Sequence, residues 1–345
     1  MNELMVNPTK IEIGQNKKTR NLYESFYFRG NLQNTGYSFW LKHNLIGFNN
    51  DSNIRIDNAL ILFDEDRSLT QVYQQSTNID FNLFQQKYLQ EDISWRKIKF
   101  EFASSGFCQL DFENENVFLK GKIADKEGPV EWDLKLTLSQ ISYYHFDKKW
   151  FYHCFFPKKK ILTADCFVQY SGKISSKFLN CQGFFLGMNG HNWGKEHAYQ
   201  YAYANCNQWT NEQNNSEKIY FDCFSAKILI AQLKTPYLSA ASLFYKNNWF
   251  HFNKVMCSWR HLVHNLELKK YCVTFLNDDY KLELEINGEG HAWVTLDYDH
   301  PSRKISKVNN TKHATGSIKL TRLKDLSLVV NLLTSSFELE TLLAK

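Results

Sequence analysis

The chain of 345 residues is long for one hydrophobic core and fits two domains of about 170 residues each. Its formal net charge of +5 is spread along the sequence, without the basic stripe and interleaved stacking rings of a nucleic-acid module, so we predict no nucleic-acid partner. The eight cysteines form no Cys-x-x-Cys pair, and we find neither a signal-peptide core in residues 1–20 nor an apolar run of about 18 residues, so we expect a soluble, cytoplasmic protein with reduced thiols.

The first half of the chain has the pattern of short strands with one helix. Residues 1–20 are polar and predict a flexible N-terminal arm. Apolar side chains at helical spacing predict a short helix within residues 78–91, whereas residues 141–160 are aromatic but irregular. Alternation and turn residues predict strands at 23–29, 37–43, 54–63, 98–102, 108–112, 117–123 and 130–138.

The second half continues the same pattern. Strands are predicted at 167–174, 219–226, 238–245, 249–252, 259–268, 271–276, 282–286 and 292–296. Short strands with turn signals roughly every 8–12 residues indicate all-β sandwich or barrel domains. We place the boundary between residues 180 and 190, which gives an N-terminal β domain of residues 21–185 and a C-terminal β domain of residues 186–345.

Residues 187–204 (GMNGHNWGKEHAYQYAYA) form the most distinctive stretch of the sequence. A period of two predicts a strand with one aromatic, polar-tipped face and one small face, which lines a cavity or packs against another sheet. Ordinary β-sheet core is the alternative interpretation. The aromatic face would carry His191, Trp193, His197, Tyr199, Tyr201 and Tyr203.

The strand predicted at 219–226 carries Asp222 although both of its faces are largely apolar. A buried carboxylate is costly unless it is paired or protonated. Residues two apart share a strand face, so Tyr220 lies beside Asp222 and His191 beside Trp193. If the two strands are neighbours, these four side chains converge in one apolar pocket, the usual setting of a small-molecule site.

Four segments together resemble a known group of proteins. They are YESFYF at 23–28, Phe39-Trp40, Ser171-Gly172 and GMNGHNWG at 187–194, of which the His-x-Trp-Gly centre is the most specific. The pattern resembles the tandem lipocalin-like superfamily that includes hydroxyneurosporene synthase (carotenoid hydratase), tocopherol cyclase and fungal lipocalin-like Diels–Alder cyclases. It is closer to a bacterial branch distinct from the carotenoid enzymes.

The resemblance implies two tandem lipocalin-like β-barrel or sandwich domains that act on a lipophilic, isoprenoid or polyene-like molecule. It also implies that no cofactor and no metal take part. The catalytic positions that it implies are a His-x-Trp pair and a Tyr-x-Asp pair, here His191 with Trp193 and Tyr220 with Asp222.

These residue types suit acid–base hydration or cyclisation near the domain junction. Burial would favour the carboxylic acid form of Asp222, which could protonate an alkene, with Tyr220 orienting it. Trp193 would face the carbocation, and His191 would position the capturing water or hydroxyl. Side chains predicted to contact the hydrophobic ligand are Tyr199, Tyr201, Glu24 and His197.

Other interpretations remain open at this point. His191 and Asp222 would instead form a buried structural pair that joins the domains, with Trp193 as core and Glu24 as a paired carboxylate. The protein would then be a non-catalytic binder or carrier of a hydrophobic ligand. The spacing of His191, Glu196 and His197 is poor for a metal, so we predict none. The mild basicity permits peripheral contact with anionic lipids, and the oligomeric state is unknown.

Overall fold

The computed structural model describes residues 21–343 except for 34, 89–96, 102–105, 114–115, 125–127, 155–156, 211–217 and 231–232. The arm predicted at residues 1–20 lies outside the described residues. Nearly all of the described secondary structure is antiparallel strand, arranged in two large sheets and one small hairpin. No helix of the described segments is long and apolar enough to cross a membrane.

The first sheet runs from residue 23 to residue 194. Its spatial order is β4-β3-β2-β1-β11-β10-β8-β7-β6-β5, and the short strand β9 pairs with β10. A helix α1 (Phe81–Tyr88) follows β4, and a 3-10 helix spans Lys149–Tyr152. The strands are β1 (Tyr23–Leu32), β2 (Tyr37–Gly47), β3 (Asn53–Asp64), β4 (Leu69–Asp80), β5 (Lys97–Glu101), β6 (Phe107–Glu113), β7 (Asn116–Ile123), β8 (Val130–Thr137), β9 (Tyr143–Tyr144), β10 (Lys159–Ser175) and β11 (Asn180–Gly194).

The second sheet runs from residue 200 to residue 342. Its spatial order is β17-β16-β13-β12-β23-β22-β20-β19-β18, with β21 paired to β22, while β14 and β15 form the separate hairpin. A 3-10 helix spans Val255–Arg260. The strands are β12 (Gln200–Cys206), β13 (Tyr220–Lys227), β14 (Leu229–Ile230), β15 (Leu233–Lys234), β16 (Leu238–Tyr245), β17 (Asn248–Phe252), β18 (Leu262–Leu266), β19 (Lys270–Leu276), β20 (Tyr280–Asn287), β21 (Val294–Asp299), β22 (Ile305–Arg322) and β23 (Leu328–Leu342).

Alternating side chains explain why each sheet curls around its own core. Along β8 the burial alternates strictly, with Trp132 and Leu134 in the core and Asp133 and Lys135 in water. Each sheet therefore has one largely apolar face, and curling is the way in which a single sheet covers that face. The two curled antiparallel sheets confirm the predicted all-β fold of two tandem lipocalin-like domains.

The outer faces of the two sheets pack against each other. A third apolar cluster joins Tyr27, Trp40 and Met188 of the first sheet to Tyr220 and Phe244 of the second. Where the sheets meet, the side chains that point away from each core are also buried, and this arrangement explains why β3 and β13 are buried on both faces. The junction between the domains is formed by packed sheets rather than by a flexible linker.

The structure differs from the predicted elements in several places, which include the unpredicted strand β23 and the 3-10 helix Val255–Arg260 at the start of the strand predicted at 259–268. The strand β4 was not predicted because its sequence, LTQVYQQSTNID, is polar, as suits an edge strand that pairs on one side only. The alternation at 191–203 belongs to two strands, since β11 ends at Gly194 and β12 begins at Gln200. The proposed boundary at residues 185 and 186 falls inside β11, and the chain passes from one sheet to the other between Gly194 and Gln200.

Candidate functional site

A cavity of about 720 Å³ lies between the two sheets. This volume is within the range of about 300–1,000 Å³ that is typical of small-molecule sites. Its walls come from the outward faces of both sheets, where alternation directs large polar-tipped side chains toward the junction. Among the lining residues are Tyr23, Trp40 and Lys42 of the first sheet and Tyr201, Tyr203 and Phe224 of the second.

One end of the cavity is bordered by apolar side chains that are open to solvent. Leu229 and Ile230 of the hairpin β14–β15 line it, and they are 39% and 52% exposed. Val255 and Ser258 of the second 3-10 helix also line the cavity. Exposed apolar side chains at the rim of a cavity suit the entry of a lipophilic molecule.

Asp222 lies behind the cavity wall in a dense hydrogen-bond network. It is fully buried on β13, and its Oδ1 lies 2.8 Å from Nε2 of His145. Its Oδ2 accepts hydrogen bonds from the hydroxyls of Tyr220 at 2.6 Å, Tyr203 at 3.0 Å and Thr163 at 3.1 Å. Three hydroxyl donors on one carboxylate oxygen stabilise a negative charge there.

The His145–Asp222 contact holds one exchangeable proton. The Nδ1 of His145 faces the carbonyl oxygen of Ile161 at 3.1 Å, so this nitrogen carries hydrogen and donates it. The Nε2 contact with Asp222 then contains one further proton, located either on the imidazole or on the carboxyl group. The imidazole on Oδ1 and the three hydroxyls on Oδ2 together engage both oxygens of the Asp222 carboxyl group.

Two residues of this network reach the cavity wall. Tyr203 and His145 line the cavity, whereas Asp222 and Tyr220 do not belong to its described lining. Burial, followed by the nearby Asp222 carboxylate, raises the pKa of Tyr203 well above the usual value, so its hydroxyl keeps its proton. Tyr203 therefore presents a hydrogen-bond donor between the cavity and the buried carboxylate.

His145 is the residue that the sequence analysis missed. It lies just after β9 in the segment that was described only as aromatic and irregular, and its partner Asp222 is 77 positions further along the chain. The local sequence 143–146 (YYHF) gives little indication of a functional site, because a histidine among aromatic residues is also typical of ordinary core. Tyr203 was on the predicted aromatic face but was not assigned a role.

His191 and Trp193 lie elsewhere, because their side chains point from β11 into the core of the first sheet and away from β13. The Nε2 of His191 is 2.7 Å from Oε1 of Glu24. The imidazole ring stacks on the ring of Phe26, with centroids 4.3 Å apart, and its centroid lies 4.6 Å from that of Trp193. Trp193 packs in the first core. The convergence of His191 and Trp193 with Asp222 is thus wrong, and so is a His191–Asp222 structural pair. The predicted neighbours Tyr220 and Asp222 do lie together.

The four side chains predicted to contact a ligand all border the cavity. Tyr199 and Tyr201 follow the passage into the second sheet, and His197 precedes them. Tyr201 donates to Glu340, and His197 stacks on Tyr23 at 4.1 Å. Glu24 borders the cavity as well, but its carboxylate is bonded to His191. Their contact with a ligand remains a prediction.

Within the described residues, no group of three or more His, Cys, Asp or Glu side chains could hold a metal ion. His197 lies against His300 at 4.7 Å, but Glu196 is instead paired with Lys158 at 2.6 Å. Burial, together with the charges of Lys159 and Lys42, lowers the pKa of His197 well below its usual value, so its ring is neutral. This neutral ring can donate or accept one hydrogen bond at the cavity wall.

Solved structures of other proteins resemble this fold. A protein of Nitrosomonas europaea provisionally named AttH superposes with a TM-score of 0.52 at 12% identity, covering 93% of this chain and 92% of that one. CghA superposes with a TM-score of 0.59 at 9% identity, covering 94% and 88%. Kievitone hydratase from Nectria haematococca gives a TM-score of only 0.44 at 6% identity, covering 99% and 94%. No family model matches the sequence, and no curated protein matches it.

The first two superpositions extend over nearly the whole length of each chain, so the tandem two-domain architecture is shared. The fold implied by the sequence resemblance is therefore confirmed. At these identities the likeness is one of fold, and the chemistry has to be argued from the site itself.

Proposed function

We propose that this protein binds a lipophilic small molecule between its two domains and catalyses its hydration or cyclisation by proton transfer. The observation that supports this proposal is the continuous line of hydrogen bonds from Tyr203 at the cavity wall, through Asp222, to the buried ring of His145. Such a line connects the ligand space to a buried carboxylate–imidazole pair that can store a proton.

The first step would deliver a proton to an alkene of the ligand. The Tyr203 hydroxyl turns its hydrogen from Asp222 to the ligand and transfers it to the alkene, and the proton of the His145–Asp222 pair then passes from the Asp222 carboxyl group to the phenolate oxygen, which restores the phenol. The net change is loss of one proton from His145 and formation of a carbocation on the ligand. Tyr220 and Thr163 hold the carboxylate in place throughout.

The second step would capture the carbocation. Aromatic faces of the cavity, such as those of Tyr201 and Phe224, stabilise a positive charge by about 1–2 kcal/mol when water is excluded. Water, or a hydroxyl of the ligand itself, then forms the new C–O bond and releases a proton. The same line of hydrogen bonds returns that proton to His145, which closes the cycle. An isoprenoid or polyene-like ligand would supply both the alkene and the apolar length.

A carrier without catalytic activity is the second candidate. It is favoured by the complete burial of Asp222, whose four hydrogen-bond partners would equally well make a static network that joins the two sheets. In that case Tyr203 and His145 serve only as part of the wall. The two candidates share the ligand class and differ in whether a product forms.

The test is mass spectrometry of an isoprenoid and polyene extract after incubation with the protein. Wild type is compared with Asp222→Asn, which keeps the shape of the side chain but removes its charge. A mass gain of one water, or an isomer with altered retention, seen only with wild type supports the catalytic proposal. A ligand retained unchanged by both proteins would favour the carrier.

A further inference from the structure

A second set of polar side chains lines the cavity on β2 of the first sheet. Trp40, Lys42 and Asn44 lie at alternate positions and all contribute to the wall. Trp40 and Lys42 are only 3% and 6% exposed. The acid–base network of Asp222 does not involve any of the three, so their presence in the cavity needs a separate explanation.

Lys42 lacks a counter-ion in contact. In the described part of the chain, no carboxylate oxygen lies within 4.0 Å of its Nζ, and no hydrogen bond of its amine is found. The amine is held over the ring of Tyr298 at 3.7 Å and near that of Trp40 at 4.6 Å. Leaving a buried ammonium without an anion is costly unless something else supplies the charge.

The nearby carboxylates are already engaged. Glu338 pairs with both Arg29 and Lys312, so one negative charge serves two buried cations. Glu340 accepts hydrogen bonds from the hydroxyls of Tyr201 and Tyr298. Both of these carboxylates are therefore engaged by other groups, and neither contacts the amine of Lys42. The charged and titratable groups that face Lys42 are Glu340 and Glu338 of β23, Lys312 of β22, Lys159 of β10, Tyr298 of β21 and His197.

Burial and the neighbouring lysines lower the pKa of Lys42 to about 7, although Glu340 opposes the shift. The amine of Lys42 thus holds its proton weakly near neutral pH. The Nε1 of Trp40 is also buried without a hydrogen-bond partner, and it is a donor only. Two neighbouring groups that donate hydrogen bonds, one of them cationic, match an acceptor that carries negative charge.

We propose that Lys42 and Trp40 form a subsite for an anionic oxygen of the ligand, so that the cavity takes a lipophilic carboxylate or a similar oxyanion. The inference builds on the proposed ligand cavity and adds the class of its polar head group. The apolar part of the ligand would extend along the aromatic wall toward Tyr203. Binding would bring in the missing counter-ion and hold Lys42 in its protonated form.

The experiment compares an acid with its ester. All-trans retinoic acid and its methyl ester are titrated into the protein at pH 6.0 and 8.5, and binding is followed by quenching of tryptophan fluorescence. We expect wild type to bind the acid at least tenfold more tightly than the ester at pH 6.0. Because the amine loses its proton as the pH rises through about 7, the preference should shrink at pH 8.5.

Two variants localise the effect. Lys42→Met keeps the length of the side chain and removes a buried charge, so folding is not expected to suffer, and the preference for the acid should disappear. Lys173→Met makes the same charge change at an exposed position of β10 and should keep the preference. Equal affinity for acid and ester in wild type, absence of binding of the acid, or an unchanged preference in Lys42→Met would overturn the proposal.

The readout separates this inference from the proposed function, because binding requires no turnover. A wild-type protein that prefers the acid but forms no product would remove the catalytic proposal and leave the subsite standing. Product formation from a neutral ligand, without any preference for the acid, would remove only the subsite.

Discussion

The molecule contains the same chemical pair twice, in two different settings. Glu24 and His191 face each other at 2.7 Å on the core side of the first sheet, stacked among Phe26 and Trp193. Asp222 and His145 meet at 2.8 Å between the two sheets, next to the cavity. Both pairs are buried, and both satisfy polar groups that would otherwise destabilise the fold.

The difference lies in what surrounds each pair. Around Asp222, three hydroxyls converge on one oxygen and one of them, that of Tyr203, reaches the cavity. Around Glu24, the neighbours are chiefly rings of the first core, and His191 is not in the described cavity wall. A buried carboxylate–imidazole pair is therefore not a site by itself, and a hydrogen-bonded path to the ligand space is what distinguishes one pair from the other.

Replacing each of the two histidines separately by glutamine should give the largest difference in activity between the two pairs. His145→Gln removes the proton store, so product formation should fall by about 100-fold or more. His191→Gln alters a histidine that is outside the described cavity wall and points into the first core, so the rate for each folded molecule should stay within about threefold. Initial rates corrected for the folded fraction provide the check. Equal losses in both variants would mean that the two pairs are not distinct in function.

A change in the Glu24–His191 pair should lower the stability of the fold. Glu24→Gln removes the carboxylate that faces His191, and the cost is expected to be about 1–3 kcal/mol of unfolding free energy. Urea denaturation monitored by circular dichroism measures this difference. The rate per folded molecule should be nearly unchanged. A stable variant with a lost activity would move Glu24 into the functional site, as the sequence first suggested.

Histidines without a carboxylate partner should affect neither pair and should change stability only in acid. Burial lowers the pKa of His43, His261 and His313 to about 4. Between the unfolded value near 6.5 and about 4, the unfolded chain binds more protons than the folded one, so stability decreases as the pH falls. The loss is at most about 1.4 kcal/mol per pH unit for each histidine.

Denaturation at pH 7.0, 5.5 and 4.5 with His43→Phe tests this expectation. The variant should lose stability less steeply on acidification than wild type. His264→Phe, at an exposed position, should behave as wild type does. If His43→Phe has the same slope as wild type, His43 is not held neutral in the fold.

Local periodicity was enough to predict part of the site. Tyr220 and Asp222 are two apart on one strand, and Tyr201 and Tyr203 project from a face opposite the small residues of β12, as the alternation indicated. The same alternation predicts the all-β fold, because the two faces of a strand can be recognised from its sequence alone.

Pairing between distant segments could not be predicted in the same way. His191 meets Glu24 because β11 pairs with β1, and these residues are 167 positions apart. His145 meets Asp222 across two sheets, from a segment without regular alternation. Residue types at such separations do not specify which strands become neighbours, so Asp222 was paired with His191 instead of His145, and no partner was predicted for Glu24.

The most direct test of the acid–base path is the removal of one hydroxyl. Tyr203→Phe deletes the group that joins Asp222 to the cavity, and Tyr170→Phe deletes a buried hydroxyl that donates to the carbonyl of Met188 at 2.8 Å in the first core. We predict that Tyr203→Phe lowers product formation by about 100-fold while ligand binding stays within about threefold, and that Tyr170→Phe keeps the wild-type rate per folded molecule. A Tyr203→Phe variant that turns over as fast as wild type would contradict the account.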